Sequence, residues 1–149
     1  MKALSVRQPF ASLLLAGLKQ FETRGWPLFR ELWGVKLALH ASKTYDAADQ
    51  YCTDNLMRWK ELQPVLLGDL PRGKVLGVIV VEAVYRTQEI APKLSPLEIA
   101  QGDYRAGRAA WKVKVIDVFA EPVAAVGKLG LWEWGPTPNP SPLRKEGNG

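Results

Sequence analysis

Cysteine occurs once in the 149 residues, at Cys52, and histidine once, at His40. A single thiol excludes a disulfide framework within one chain, and with it any metal knuckle built from cysteines. No apolar run approaches the length needed to cross a bilayer. Met1-Lys2 opens directly into a short apolar segment with no secretory pattern, so the expected location is cytoplasmic. The acids Glu22, Glu82 and Asp117 fall at spacings that match no metal-binding motif, and no metal or cofactor is expected.

Positive charge is what the chain does have. Lys and Arg number 20 against 15 Asp and Glu, a formal charge of +5. On so small a body this favours anionic partners, nucleic acid first. Two of the basic residues, Arg144 and Lys145, lie in the segment "PTPNPSPLRKEGNG", which is rich in proline and nearly without apolar residues. Such a composition predicts a disordered tail over 136–149, with one folded domain over 1–135.

Patterning predicts several strands and few helices. Lys2 to Val6 reads as a strand, and "QPFASLLLAG" as a helix with Pro9 in its first turn and Gly17 at its end. "KQFETR" reads as a short strand and Gly34 to Ala41 as a half-buried one. A helix follows, capped by Ser42 or Thr44, with an apolar stripe of Ala48, Tyr51, Cys52, Leu56 and Trp59. "QPVLLGDLPRG" reads as a loop and "KVLGVIVVEAVYRTQEI" as the longest strand. "SPLEIAQG" is one helical turn capped by Ser95. In the strand "AAWKVKVIDVFAEPV", Trp111, Val113 and Val115 share a face opposite Lys112, Lys114 and Ile116. "GKLGLWEWG" closes the domain. Strands of uneven length with few helices point to an α+β fold, a small mixed β-barrel of five or six strands with flanking helices.

Charge concentrates in "GLKQFETRGW", at the edge of this predicted core. Glu22 and Arg24 alternate on one strand face, and Lys19 lies at the turn that leaves the helix. The three can converge on one mouth. Arg24 offers a planar fork for a carboxylate or phosphate, and Glu22 can accept from an amine or pair with Lys19. An ion-pair cluster at the sheet edge is the structural alternative.

"LSVRQPFASLLLAGLKQFETRGW" closely resembles the opening of ASCH domains, relatives of the PUA barrel. Their signature G-x-K-x-x-E-x-R is met by Gly17, Lys19, Glu22 and Arg24, and "LHASK" and "GKLGLWEW" resemble flanking segments of that family. The resemblance implies a five- or six-stranded barrel whose cleft binds RNA or modified nucleosides. Lys19, Glu22 and Arg24 would line that cleft, with Arg7 and Gln8 approaching from another wall. Lys43 would add a phosphate contact, Trp26, Trp132 or Trp134 a surface for a base, and His40 and Ser42 would stand beside them. The resemblance also implies an alternative, hydrolysis of N4-acetylcytidine by a lysine, a threonine and a glutamate. Lys19 matches the lysine, Glu22 stands in the threonine's place, and Glu82 matches the glutamate. A helix C-terminus and Glu22 both favour the Lys19 ammonium, so only a very dry cleft would lower its pKa. Further alternatives are a metal-dependent ribonuclease and a protein-interaction domain.

Overall fold

Six strands pair into one mixed sheet in the order β2-β5-β4-β3-β1-β6: β1 (Lys2–Val6), β2 (Phe21–Arg24), β3 (Leu37–Ala41), β4 (Lys74–Arg86), β5 (Ala109–Ala124) and β6 (Leu131–Glu133). Five short α-helices accompany them among the described residues: α1 (Phe10–Leu15), α2 (Ala47–Leu56), α3 (Gln63–Leu66), α4 (Thr87–Ile90) and α5 (Pro96–Ala100). These come from a computed structural model that describes residues 1–135. The expected tail lies outside the described residues. The sheet curls into a half-barrel, the α+β fold that the patterning predicts.

Four strand contacts are antiparallel, but β1 and β3 run parallel, with Ala3 opposite Ala38 and Val6 opposite Ala41. α1 lies within the connection from β1, as a parallel pair requires a crossover. The curl comes from β4 and its neighbours. Register shifts fall at Leu39/His40 of β3 against β4, and at Val75/Gly77, Val78/Ile79 and Val81/Ala83 of β4 against β5. Each such bulge bends its strand and adds twist. At Gly77 the strands come so close that a Cβ would stand 2.3 Å from the Asp117 carbonyl oxygen.

The interior of the curl holds Leu4, Val6, Leu37, Leu39, Leu76, Ile79, Val81 and Trp111. Val113 and Val115 pack against it beside Trp111, as their alternation predicts. The opposite face is covered too. Ala3, Ala38, Val75 and Trp132 pack there, with Trp134 at their margin. For that reason β3 is buried at all five positions rather than half-buried. Central strands lose the polar half of their pattern when both faces are covered.

α2 departs further from expectation. Its cap is Asp46, whose carboxylate accepts from the amides of Ala48 and Asp49 while Asp49 returns a bond to the Asp46 amide. Its buried residues are Asp49, Thr53 and Leu56, and Tyr51 is 70% exposed. Of the predicted apolar stripe only Leu56 is buried. Thr53 is buried with its hydroxyl on the Asp49 carbonyl and Asp49 on Arg7, so polar groups face inward in satisfied pairs. The predicted loop at "QPVLLGDLPRG" begins as α3, with Leu66 buried.

Candidate functional site

Gly17 takes a φ of 75°, the left-handed turn that ends α1 and lets Lys19 fold back beneath it. The Lys19 side chain is thereby buried, with the residue only 2% exposed, and its ammonium donates to the Gln101 carbonyl and lies 5.1 Å from the centre of the Phe10 ring. Burial pushes the Lys19 pKa down. Glu22 and Glu98 oppose that shift without cancelling it, and Arg24 adds to it. The dry environment needed to perturb this lysine is present.

Glu22 and Arg24 share one face of β2, as alternation predicts, and form an ion pair at 2.9 Å. The partner of Glu22 is thus Arg24 rather than Lys19. Arg24 does a second thing. β6 begins at Leu131, opposite Leu4, and the next β1 carbonyl, Ser5, accepts from the Arg24 guanidinium at 2.6 Å. One side chain from the edge strand β2 therefore reaches across to β1 and ties the mouth of the half-barrel. The guanidinium also faces Trp111, 6.0 Å from the ring centre.

Residues 98–103 lie along the open edge of β2. Glu98 accepts from the amides of Gln20 and Phe21 at 3.0 to 3.1 Å. The Gln101 side-chain amide donates to the Leu18 carbonyl, and the Thr23 hydroxyl accepts from the Asp103 amide. An edge strand needs such cover for its unpaired backbone groups. Tyr104 belongs to the same cluster. Its hydroxyl is buried without a hydrogen-bond partner, and burial, reinforced by Glu98 and Glu22, raises its pKa.

Lys19, Glu22, Thr23, Arg24, Gln101 and Asp103 form one wall of a cleft of about 1440 Å³. Other walls come from Arg7, Ser42, Lys43 and Arg72, and from the β5–β6 connection at Ala125 to Gly130. Arg7 is held by Asp46 and Asp49. Arg108 enters from the start of β5 and lies 3.4 Å from Asp103, whose pKa Arg105 and Arg108 together hold down at about 2. His40 is buried in the lining. Its Nε2 donates to the Ala125 carbonyl at 2.9 Å, and its Nδ1 meets the Ser5 hydroxyl at 3.0 Å. Ser5 in turn accepts from the Trp132 indole. With the Ala125 carbonyl able only to accept, the chain runs from Trp132 through Ser5 to His40 and on to the loop. His40 thus braces the cleft wall with both nitrogens occupied.

The predicted site residues therefore divide. Arg7, Lys19, Glu22, Arg24, His40, Ser42 and Lys43 line the cleft. Three do not. Glu82 follows the buried run of β4 at the Val81/Ala83 register shift, is exposed, and lies 3.9 Å from Lys112. Val81 takes the inward position, so alternation alone puts its neighbour Glu82 on the outer face. Gln8 is fully buried, bonding the Pro71 carbonyl and both the amide and hydroxyl of Ser12. Trp26 stands outside the lining, edge-on to Trp111 at 4.9 Å. Its backbone carbonyl accepts from the Trp111 indole.

Glu98, Gln101, Asp103, Arg72 and Lys128 are residues that the sequence reading did not single out. Only Glu98 had a signal. It stands three places after Ser95, where an acid ordinarily completes a helix cap. Ser95 does cap its amide, but the carboxylate is spent on β2. Among the described residues no three His, Cys, Asp or Glu side chains gather as a metal-ligand set.

The half-barrel and its charged mouth define a known class. The sequence profile of the ASCH domain matches residues 4–123, and the chain belongs to that family. Among solved structures it is similar to the ASCH protein ZmASCH from Zymomonas mobilis. A serine-to-alanine mutant of that protein matches with a TM-score of 0.50 at 16% identity, covering 83% of this chain and 72% of that one. A second structure, of ASCH from the same organism, matches with a TM-score of 0.48 and the same identity and coverage. At this identity the first likeness speaks for the fold alone.

Proposed function

We propose that the cleft binds RNA or a modified nucleoside. The charge balance of its lining carries the reading. Seven basic side chains stand there against four acidic ones. Arg7 and Arg24 are each neutralised by a carboxylate and Arg108 only shares that of Asp103 with Arg105, whereas Lys43, Arg72 and Lys128 have none within 4 Å among the described residues. Cations left unpaired around a concave site suit phosphate oxygens.

Deeper in, the groups suit a base. Arg24 holds only one oxygen of Glu22, and the other can accept from an exocyclic amine. Lys19 spends one proton on Gln101 and can donate others to a carbonyl oxygen. The amidohydrolase alternative lacks its expected third member here, because Glu82 stands outside the cleft. We further place the protein's work in the cytoplasm, where RNA and free nucleosides are both met.

Fluorescence anisotropy with a labelled short RNA across a salt series tests the reading. Affinity should fall steeply with salt, and the slope of log K against log salt should shrink by about 1 for each of Lys43→Ala, Arg72→Ala and Lys128→Ala that removes a phosphate contact. No binding at low salt, or a slope untouched by all three, would defeat the proposal.

A further inference from the structure

A second cavity, of about 460 Å³, shares one lining residue with the cleft, and that residue is Arg108. Its walls carry the rings of Trp33 and Tyr85 together with Arg86 and Gln88, and no carboxylate.

Both rings are held before any ligand arrives. The Trp33 indole donates to the Leu28 carbonyl at 3.1 Å, and the Arg30 guanidinium covers the ring at 5.0 Å. Tyr85 meets Phe21 edge-on at 6.3 Å while remaining 38% exposed. A fixed ring loses little rotamer freedom when a base stacks on it. Gln88 has its amide oriented as well. Its oxygen accepts from the Gly107 amide at 3.0 Å, which leaves the NH₂ group without a protein acceptor among the described residues.

Arg108 connects the two spaces. Its Nε donates to the Asp103 carbonyl at 3.1 Å, while its terminal nitrogens make no hydrogen bond to other described residues. One of them lies beside Gly25, where even a Cβ would stand 3.7 Å away. The guanidinium thus offers two free terminal NH₂ groups at the boundary between a cationic cleft and an aromatic cavity.

We propose that the second cavity takes a second base of a single-stranded RNA, with the intervening backbone phosphate held by Arg108. This rests on the reading of the cleft given above and deepens it: the ligand is a strand rather than a free nucleoside. Trp33 and Tyr85 supply the stacking surface, Gln88 a donor for a base carbonyl, and Arg86 a cation at the rim.

Isothermal titration at low salt with two probes tests this, uridine 5′-monophosphate and a mixed-base RNA hexanucleotide. The wild-type protein should bind the hexanucleotide at least about 10-fold more tightly, the scale of one base–aromatic stack. Trp33→Ala and Arg86→Glu should each bind the monophosphate as the wild type does and lose about 10-fold on the hexanucleotide. Arg86 is exposed, so its replacement does not threaten the fold. A hexanucleotide advantage that persists undiminished in both variants overturns the second subsite and leaves the cleft reading intact. Failure of both probes to bind the wild type overturns the cleft reading, and the subsite with it.

Discussion

Replacing Glu98 with alanine should destabilise the domain by about 3 kcal/mol. The carboxylate accepts from two backbone amides, those of Gln20 and Phe21. Phe21 is 5% exposed and Glu98 7%, so water has poor access to the vacated position. A hydrogen bond to a charged acceptor is worth about 1.5–3 kcal/mol, and an amide left buried without a partner costs about 1–3 kcal/mol. Two such amides set a range of about 2–6 kcal/mol, and the exposure of Gln20 brings the figure down to about 3 kcal/mol. The effect should reach the site. Glu98 is one of the two acids that raise the Lys19 pKa against burial, so its loss moves that pKa further down. Urea unfolding followed by circular dichroism measures the change as a lower midpoint at constant slope. Glu98→Gln keeps one carbonyl acceptor and should fall between alanine and wild type. A shift below about 0.5 kcal/mol for Glu98→Ala, the size of an ordinary surface change, would refute the claim that this carboxylate secures the β2 edge.

Gly127→Ala should cost about 1–3 kcal/mol, because its Cβ would stand 2.3 Å from Cε1 and 2.6 Å from Nδ1 of a His40 ring already bonded at both nitrogens. Thermal melts should show that cost shrinking in a His40→Ala background, and equal costs in both backgrounds would count against the contact. Asp103 supplies a pH dependence: its folded pKa of about 2 lies below its ordinary 3.8, so its contribution is complete above pH 3.8 and disappears as pH falls through 2. Screening of this partly exposed group leaves about 1 kcal/mol, and Asp103→Asn should remove that part of the acid-induced loss seen in urea midpoints.

Local pattern carried most of the elements because their causes are local. β1 appears with the bounds its residues predict, and β2, β3 and β5 nearly so. Ser95 caps α5 with Pro96 in its first position, as the turn chemistry requires. Glu22 and Arg24 meet because a strand puts every second side chain on one face. Gly17 turns the chain because only glycine adopts that φ without strain. Those features, together with the family's signature residues, were legible in the order of the amino acids alone.

Other features depend on what packs against what. The burial of every residue in β3 required both faces of the sheet to be covered. The polar inward face of α2 required Arg7, forty-two positions before Asp49 in the chain, to be its neighbour. Glu82 stays out of the cleft because its neighbour Val81 takes the inward position, and which of two alternating positions faces in depends on what the sheet packs against. Glu98 joined the site from seventy-seven residues beyond Phe21. Periodicity along a chain determines which side chains share a face. Which faces meet, and which charges lose their water, is settled only when distant segments close on one another.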